Sequence, residues 1–491
     1  MSNEPAKTRP ASGSKAKDFN GKLFTLPRGA DAWRYLGGSG RDALLLGTPA
    51  DCSASLPNLT PGGNLYCLPG PEGKCPESCT RVAIGQALEL AANCQVHFYR
   101  PALRIQPEYW APLLAQFDLA LADRAAWQRV KMAWLPGNSR QLVHLELKNA
   151  LQNCGYGEIC EASPAPNAAD LRNAWQNRLP ALAISVNFNG LDANGHIFEL
   201  CRALGVPLAI WLVDNPWNLL SGIQLPWWKE AHLLVTDKSF IPGLQANGAQ
   251  HVWHMPLAAS WHMFEARGKE ANGKPLFVGR SSFPDKARYF AGLRTDPALL
   301  AQANTLSDRL PDFHWWREQY NLPLWPGRQM RQISLGAEEM STSRKSQWLK
   351  TILAERALEI IGDDGWQSYL GDVETGKPVD YYGSLPSLYA GAGCVLNITS
   401  LLLPGSLNQR HFDVWAAGGY LLSDATPGLE IFPEELVKPV ICQNASEMAS
   451  KMADMRNREE LGKAWREHIA SLHRYEHRVR QIERILNMGT A

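Results

Sequence analysis

Short apolar runs alternate with amphipathic stretches along most of the 491-residue chain, and they fall into two series. The first begins near Val130. Lys131-Met-Ala-Trp-Leu-Pro predicts a strand, Gly137-Asn138-Ser139 a turn, and Arg140 to Asn153 a helix with Leu142, Leu145, Ala150 and Leu151 on its apolar side. Leu182-Ala-Ile-Ser-Val, Pro207-Leu-Ala-Ile-Trp-Leu-Val and His232-Leu-Leu-Val read as buried strands, with a helix over Ile197 to Leu204, and His251-Val-Trp-His closes the series. Asn187, Asp214 and Asp237 fall at or just beyond the carboxyl ends of these strands, where open parallel sheets bind ligands. The second series opens with Lys274-Pro-Leu-Phe-Val-Gly-Arg280. A helical stretch over 285–356, Leu358-Glu-Ile-Ile, a strand and short helix from Val379 to Tyr389, and Val395-Leu-Asn397 follow. A helix over Arg410 to Ala417, capped by Ser406 or Asn408, ends at Gly418-Gly419 before the strand Tyr420-Leu-Leu.

These series divide the chain. Residues 128–264 form one Rossmann-like lobe, 272–444 a second, and 445–491 a helical end. Residues 19–127 form an α/β module in front, with strands at Asp42-Ala-Leu-Leu-Leu and Gln95-Val-His-Phe-Tyr and a loop from Leu56 to Cys79, and 1–18 a disordered basic tail. The first strand–glycine–helix unit lacks the G-x-G-x-x-G fingerprint, so it does not favour a dinucleotide.

Composition narrows the function classes. The net charge of +1 gives no electrostatic case for nucleic acid, and no apolar run is long enough to span a bilayer. The N-terminus lacks the apolar core of a secretory signal, and ten scattered cysteines fit a reduced cytoplasm. Cys67, Cys75 and Cys79, spaced C-x7-C-x3-C, do not match a zinc pattern, and no nearby His completes one, so no structural metal is expected there.

The helix from Arg410 carries the sharpest chemistry. Phe412, Trp415 and Ala416 form an apolar face, while Arg410 and Asp413 are expected together on another. A helix N-terminus with a forked cation suits a diphosphate, and a carboxylate suits ribose hydroxyls. A solvated ion pair on an ordinary helix is the plain alternative. Asn397-Ile-Thr, Arg410-His-Phe-Asp-Val-Trp-Ala-Ala-Gly-Gly, Ser423-Asp424 and Pro427-Gly-Leu-Glu430 together resemble the donor-binding signature of group 1 glycosyltransferases, nearest the spore-maturation-type (CgeB-like) branch. His473-Arg-Tyr-Glu-His-Arg478 resembles a terminal motif of the same family. Ser185-Val-Asn-Phe-Asn, Trp211-Leu-Val-Asp-Asn-Pro, Val235-Thr-Asp and Met255-Pro-Leu-Ala-Ala resemble a domain that often precedes it.

The resemblance implies an α/β GT-B fold: two Rossmann-like lobes facing a cleft, here with the front module and with C-terminal helices crossing back onto the first lobe. It implies a nucleotide-diphosphate sugar as donor substrate, no further cofactor, and a carbohydrate or protein acceptor. Gly279, Arg280, Asn397, Asn408, Arg410, Gly418 and Gly419 would face the donor, with Asp380 and Tyr381 near the base and Asp413 on the ribose. Many relatives have Glu at the position of Asp413 and another eight residues earlier, where this chain has Gly405. An inverting transfer needs a base, for which Asp214 and His196 are the candidates. An epimerase of the same fold, or a non-catalytic module, would share the donor site.

Overall fold

A computed structural model describes residues 14–27, 29–48, 61–71, 73–122, 127–266, 273–454 and 458–487. Most of the expected tail lies outside the described residues. Within it Lys15–Lys17 (β1) is ordered, pairing antiparallel with Leu23–Thr25 (β2). The front module is a five-stranded sheet of β3 (Trp33–Gly37), β4 (Ala43–Leu46), β5 (Leu65–Leu68), β6 (Thr80–Arg81) and β7 (Gln95–Tyr99), in the order β3-β7-β4-β5-β6. Helix α1 (Pro107–Leu121) lies between this module and the first lobe.

The first lobe is one parallel sheet of β8 (Gln128–Trp134), β9 (Glu158–Cys160), β10 (Arg178–Val186), β11 (Leu208–Leu212), β12 (His232–Val235) and β13 (His251–His254). Its order is β13-β12-β11-β10-β8-β9. β11 is buried at every position, which is why its sequence is a continuous apolar run rather than an alternating one. Helices α2 (His144–Asn153) and α3 (His196–Ala203) flank the sheet. The expected start of α2 at Arg140 is corrected: Val143 takes a left-handed φ of 55°, the helix begins after it, and Leu142 is left 62% exposed instead of facing the core.

The second lobe contains β14 (Leu276–Val278), β15 (Glu359–Ile361), β16 (Thr375–Gly376), β17 (Val395–Asn397), β18 (Leu421–Asp424) and β19 (Ile441–Cys442). The order β16-β15-β14-β17-β18-β19, all parallel, is the 3-2-1-4-5-6 order of a Rossmann sheet. Between β14 and β15 runs the 25-residue α4 (Arg331–Glu355). Its first half, through Ile333, Ala337 and Met340, packs in the first lobe's core; its second half, through Leu349 and Ile352, packs in the second's. No strand forms at Val379. Pro378 cannot donate to a ladder, and the chain turns directly into α5 (Leu385–Gly391).

After α6 (Arg410–Ala416) the chain ends in two helices. α7 (Arg458–Leu472) lies on α6, with Trp465 stacked on Trp415 at 4.8 Å. α8 (Tyr475–Ile485) crosses back, placing Tyr475, Val479 and Ile482 in the first lobe's core. Arg478 clamps the crossing by donating to the carbonyls of Pro256 and Leu257. The architecture is the one expected from the sequence: two Rossmann-like lobes, a front module, and C-terminal helices that cross back onto the first lobe. Trp110, Trp211, Trp228 and Trp316 are among the fully buried side chains, so the tryptophan content serves mainly the cores.

Candidate functional site

Asn397 ends β17, in register with Ser423 of β18, and is fully buried. Its Oδ1 accepts from Arg410 Nη1 at 2.7 Å and from Asn408 Nδ2 at 2.6 Å. Its Nδ2 reaches Ser423 Oγ at 3.2 Å and Thr399 Oγ1 at 3.4 Å. A buried amide used on both sides has one orientation, so the guanidinium it holds is fixed as well. Asn408 also accepts from the backbone N–H of Arg410, while Gln409 is the N-cap of α6, without a side-chain cap bond, in place of the expected Ser406 or Asn408. Arg410 lies over the Phe277 ring and beside Gly279, where a Cβ would stand 3.4 Å from its Nη2. Arg280 follows, exposed. Gly279, Arg280, Asn397, Asn408 and Arg410 therefore share the carboxyl edge of the second sheet.

One turn of α4 completes this edge and was missed in the sequence, where its helix had only a crossover role. Thr342 donates to Ser281 O at 3.3 Å, Ser341 accepts from Leu401 N at 3.3 Å, and Arg344 donates to Asp424 at 2.8 Å. Lys345 sits on the same turn, and among the described residues no hydrogen bond reaches its ammonium. Burial pulls its pKa down; Arg410 and Arg344 act the same way, while Glu338 and Asp424 oppose. A desolvated cation beside a guanidinium is an electrostatic setting for an anion. The signal available in sequence was the Ser341, Thr342 and Lys345 spacing on one helix face.

Asp413 does not follow Arg410. It is 1% exposed and accepts from Ser260 N at 3.1 Å, Tyr381 OH at 2.6 Å and Gln409 Nε2 at 3.2 Å. The expectation that both side chains share one outlet is thus corrected: residues three apart on a helix still differ by about 60° in direction, and Arg410 bends to β17 while Asp413 meets the chain linking the lobes. Burial raises its carboxyl pKa to about 7 against its three hydrogen bonds, with Glu146 of the first lobe adding to the rise. Glu146 accepts from Tyr382 OH at 2.9 Å, and burial raises its pKa too. Tyr381 and Asp413 are seam residues in this structure, and Asp380 stands exposed beside them. Gly418, at φ 82°, and Gly419, whose Cβ would lie 2.5 Å from Tyr389 O, close the far end of α6 rather than face Arg410.

On the first lobe Asp214 lies just beyond β11 and accepts from Asn187 Nδ2 at 2.8 Å. Asn187 Oδ1 in turn accepts from Val213 N at 2.9 Å. Asn187 and Phe188 both take left-handed φ values, 52° and 64°, a conformation that is costly for Phe and collects at functional strand ends. Asp214 is open to solvent yet walled by protein. Burial raises its pKa, opposed by the Asn187 bond. His196 has a different setting. It opens α3 with Nε2 2.9 Å from Asp118 of α1, at the seam with the front module, a partner far away in sequence. Between the lobes, Gly405 N donates to Asp237 Oδ2 at 2.8 Å, and a Cβ on Gly405 would stand 2.6 Å from Asp237 Oδ1. A carboxylate from the first lobe fills the side-chain space at 405.

Residues 344–484 match a family described as glycosyl transferase-like. The matched span holds Lys345, Asn397, Asn408, Arg410 and Asp413, and begins inside α4 at the turn just described. No curated protein matches the chain. Among solved structures it is similar to a sucrose-phosphate synthase from Thermosynechococcus elongatus, at 12% identity and a TM-score of 0.43, over 74% of this chain and 100% of that one. A DNA-modifying β-glucosyltransferase aligns at 8% identity and a TM-score of 0.40, over 73% and 100% of the two chains. Anabaena HepE in complex with UDP and glucose aligns at 10% and 0.39, over 73% and 100%. Similarities this low carry nothing about substrate. Among the described residues no group of His, Cys, Asp or Glu is arranged to hold a metal ion, and no helix is long and apolar enough to cross a membrane.

Proposed function

We propose that the protein moves a sugar from a nucleotide-diphosphate donor to a hydroxyl-bearing acceptor, either carbohydrate or protein, in the manner of the spore-maturation-type branch and in the cytoplasm. The observation that carries this reading is the Asn397–Asn408–Arg410 cradle beside Gly279, in a transferase-like lobe and at the carboxyl edge of a Rossmann sheet. In the displacement, the anomeric C–O bond to the diphosphate breaks and a bond to the acceptor oxygen forms. The acceptor proton passes to Asp214. The charge released onto the diphosphate is met by Arg410, Lys345 and Arg280. His196 and Asp118 form the second base candidate, and Asp380 with Tyr381 borders the nucleoside end. The test is incubation with a panel of nucleotide-diphosphate sugars. Nucleoside diphosphate released in step with acceptor supports transfer, an isomerised donor replaces it with epimerisation, and binding without turnover removes the enzyme.

Two outcomes belong to this reading. Arg410→Ala removes a charge-assisted contact of about 1.5–3 kcal/mol and weakens nucleoside-diphosphate binding roughly ten- to a hundred-fold by calorimetry; unchanged affinity would leave Arg410 a structural partner of Asn397. Turnover also persists in EDTA, since side-chain cations offset the leaving charge. Loss of turnover restored by a divalent ion would show that they do not.

A further inference from the structure

The stretch from Ser400 to Ser406 belongs to the second lobe in sequence but is seated in the first. Leu401 packs in the first lobe's core, and its carbonyl accepts from Phe313 N at 2.9 Å. Leu402 O accepts from Asn215 Nδ2 at 2.9 Å, and Gly405 N donates to Asp237 Oδ2 at 2.8 Å. Asp237 is 1% exposed, and its Oδ1 accepts from Ser239 N at 2.9 Å, so the carboxylate is fixed from its own lobe. From the other side, Thr426 Oγ1 donates to Pro404 O at 3.1 Å. The two ends of this strap matter for function: Asn215 follows Asp214 directly, and Ser406 leads within two residues to Asn408, which orients Arg410 and Asn397.

We propose that Asp237 is a positioning residue for sugar transfer, holding the Ser400–Ser406 strap so that the base-bearing edge of the first lobe and the diphosphate cradle of the second keep a working separation. The proposal rests on the transferase reading. A buried charged acceptor on a backbone N–H is a strong, directional tie. It also accounts for glycine at 405, since any Cβ there would displace the carboxylate. The cradle's own bonds lie within the second lobe, so loosening the strap misplaces the lobes relative to one another without dismantling the donor contacts.

The test uses full-length Asp237→Ala, Gly405→Ala and the double variant, with the donor identified by the panel. Each single variant is expected to lower kcat about ten- to a hundred-fold, because misplacement of about 1 Å between reacting groups has that scale of cost. Donor KM and nucleoside-diphosphate Kd should stay within about twofold, and the double variant should be no worse than the poorer single, as both remove one contact. Gly405→Ala keeps the Asp237 side chain but crowds Oδ1, the oxygen that accepts from Ser239 N, so it disturbs the same contact from the strap side without removing the carboxylate. Wild-type kcat in both variants, or Kd weakening in step with kcat, overturns the proposal. Hydrogen exchange gives an arm independent of turnover. Amides in 400–408 and 213–218 should exchange faster together in both variants, and unchanged exchange overturns the strap even if wild type cleaves no donor. That last result, absent turnover with a strap that responds, would fall on the transferase reading alone.

Discussion

Asp214→Asn is expected to lower kcat by roughly 10²–10⁴-fold, the usual contribution of a positioned general base, with nucleoside-diphosphate affinity unchanged. Asparagine keeps the shape and can still accept from Asn187 Nδ2, which now donates at 2.8 Å, so the loop beyond β11 survives. What it loses is the ability to take a proton. Asp214 is exposed at its surface, yet the protein packed around the carboxyl raises its pKa from the ordinary value. The wild-type rate should therefore rise with pH through that raised pKa, and the variant should lose that limb. His196→Ala is the comparison. It breaks the 2.9 Å pair with Asp118 at the front-module seam, so it should reduce stability and leave most of the rate. An active Asp214→Asn beside an inactive but folded His196→Ala would move the base to the His196–Asp118 pair.

Asp413→Ala should destabilise the protein by about 3 kcal/mol, because it strands three donors at a buried seam at about 1 kcal/mol each. Those donors are Ser260 N, Tyr381 OH and Gln409 Nε2. The pH dependence has a definite sign. The folded-state carboxyl has a pKa of about 7 against an ordinary 3.8. Between those values the folded chain holds a proton that the unfolded chain has released, so stability falls as pH rises through that window. Glu146 faces the same seam with a raised pKa and contributes in the same direction. Asp413→Asn should flatten the slope of melting temperature against pH over that window. A variant with the wild-type slope would assign the pH dependence to Glu146. A donor-facing Asp413 would instead have given weak nucleotide binding with little change in melting.

Much of the architecture was legible along the chain, for a local reason. Strands such as Leu208–Leu212 are apolar throughout because both faces are covered, and helices carry a one-sided stripe, so each element records its own burial. The grouping of Gly279, Asn397, Asn408 and Arg410 was legible too, because parallel sheets put the ends of their strands at one edge. Direction and partnership were not legible. Three residues' spacing placed Arg410 and Asp413 on one face, and only the packing of Ser260, Tyr381 and Gln409 around Asp413 turned it into the seam. Gly418 and Gly419 read equally as donor loop or helix end until Tyr389 appeared against them. Lys345 was hidden in a helix whose two halves belong to different lobes. The partners of His196 and Gly405, Asp118 and Asp237, lie 78 and 168 residues away. The sequence alone thus determined most of the elements, the two sheets, and Arg280 and Arg410 at one sheet edge, since these depend on neighbours in the chain. Which carboxylates stand exposed beyond a strand end and which lock the lobes together depended on contacts between residues far apart in sequence, and only the tertiary structure decided them.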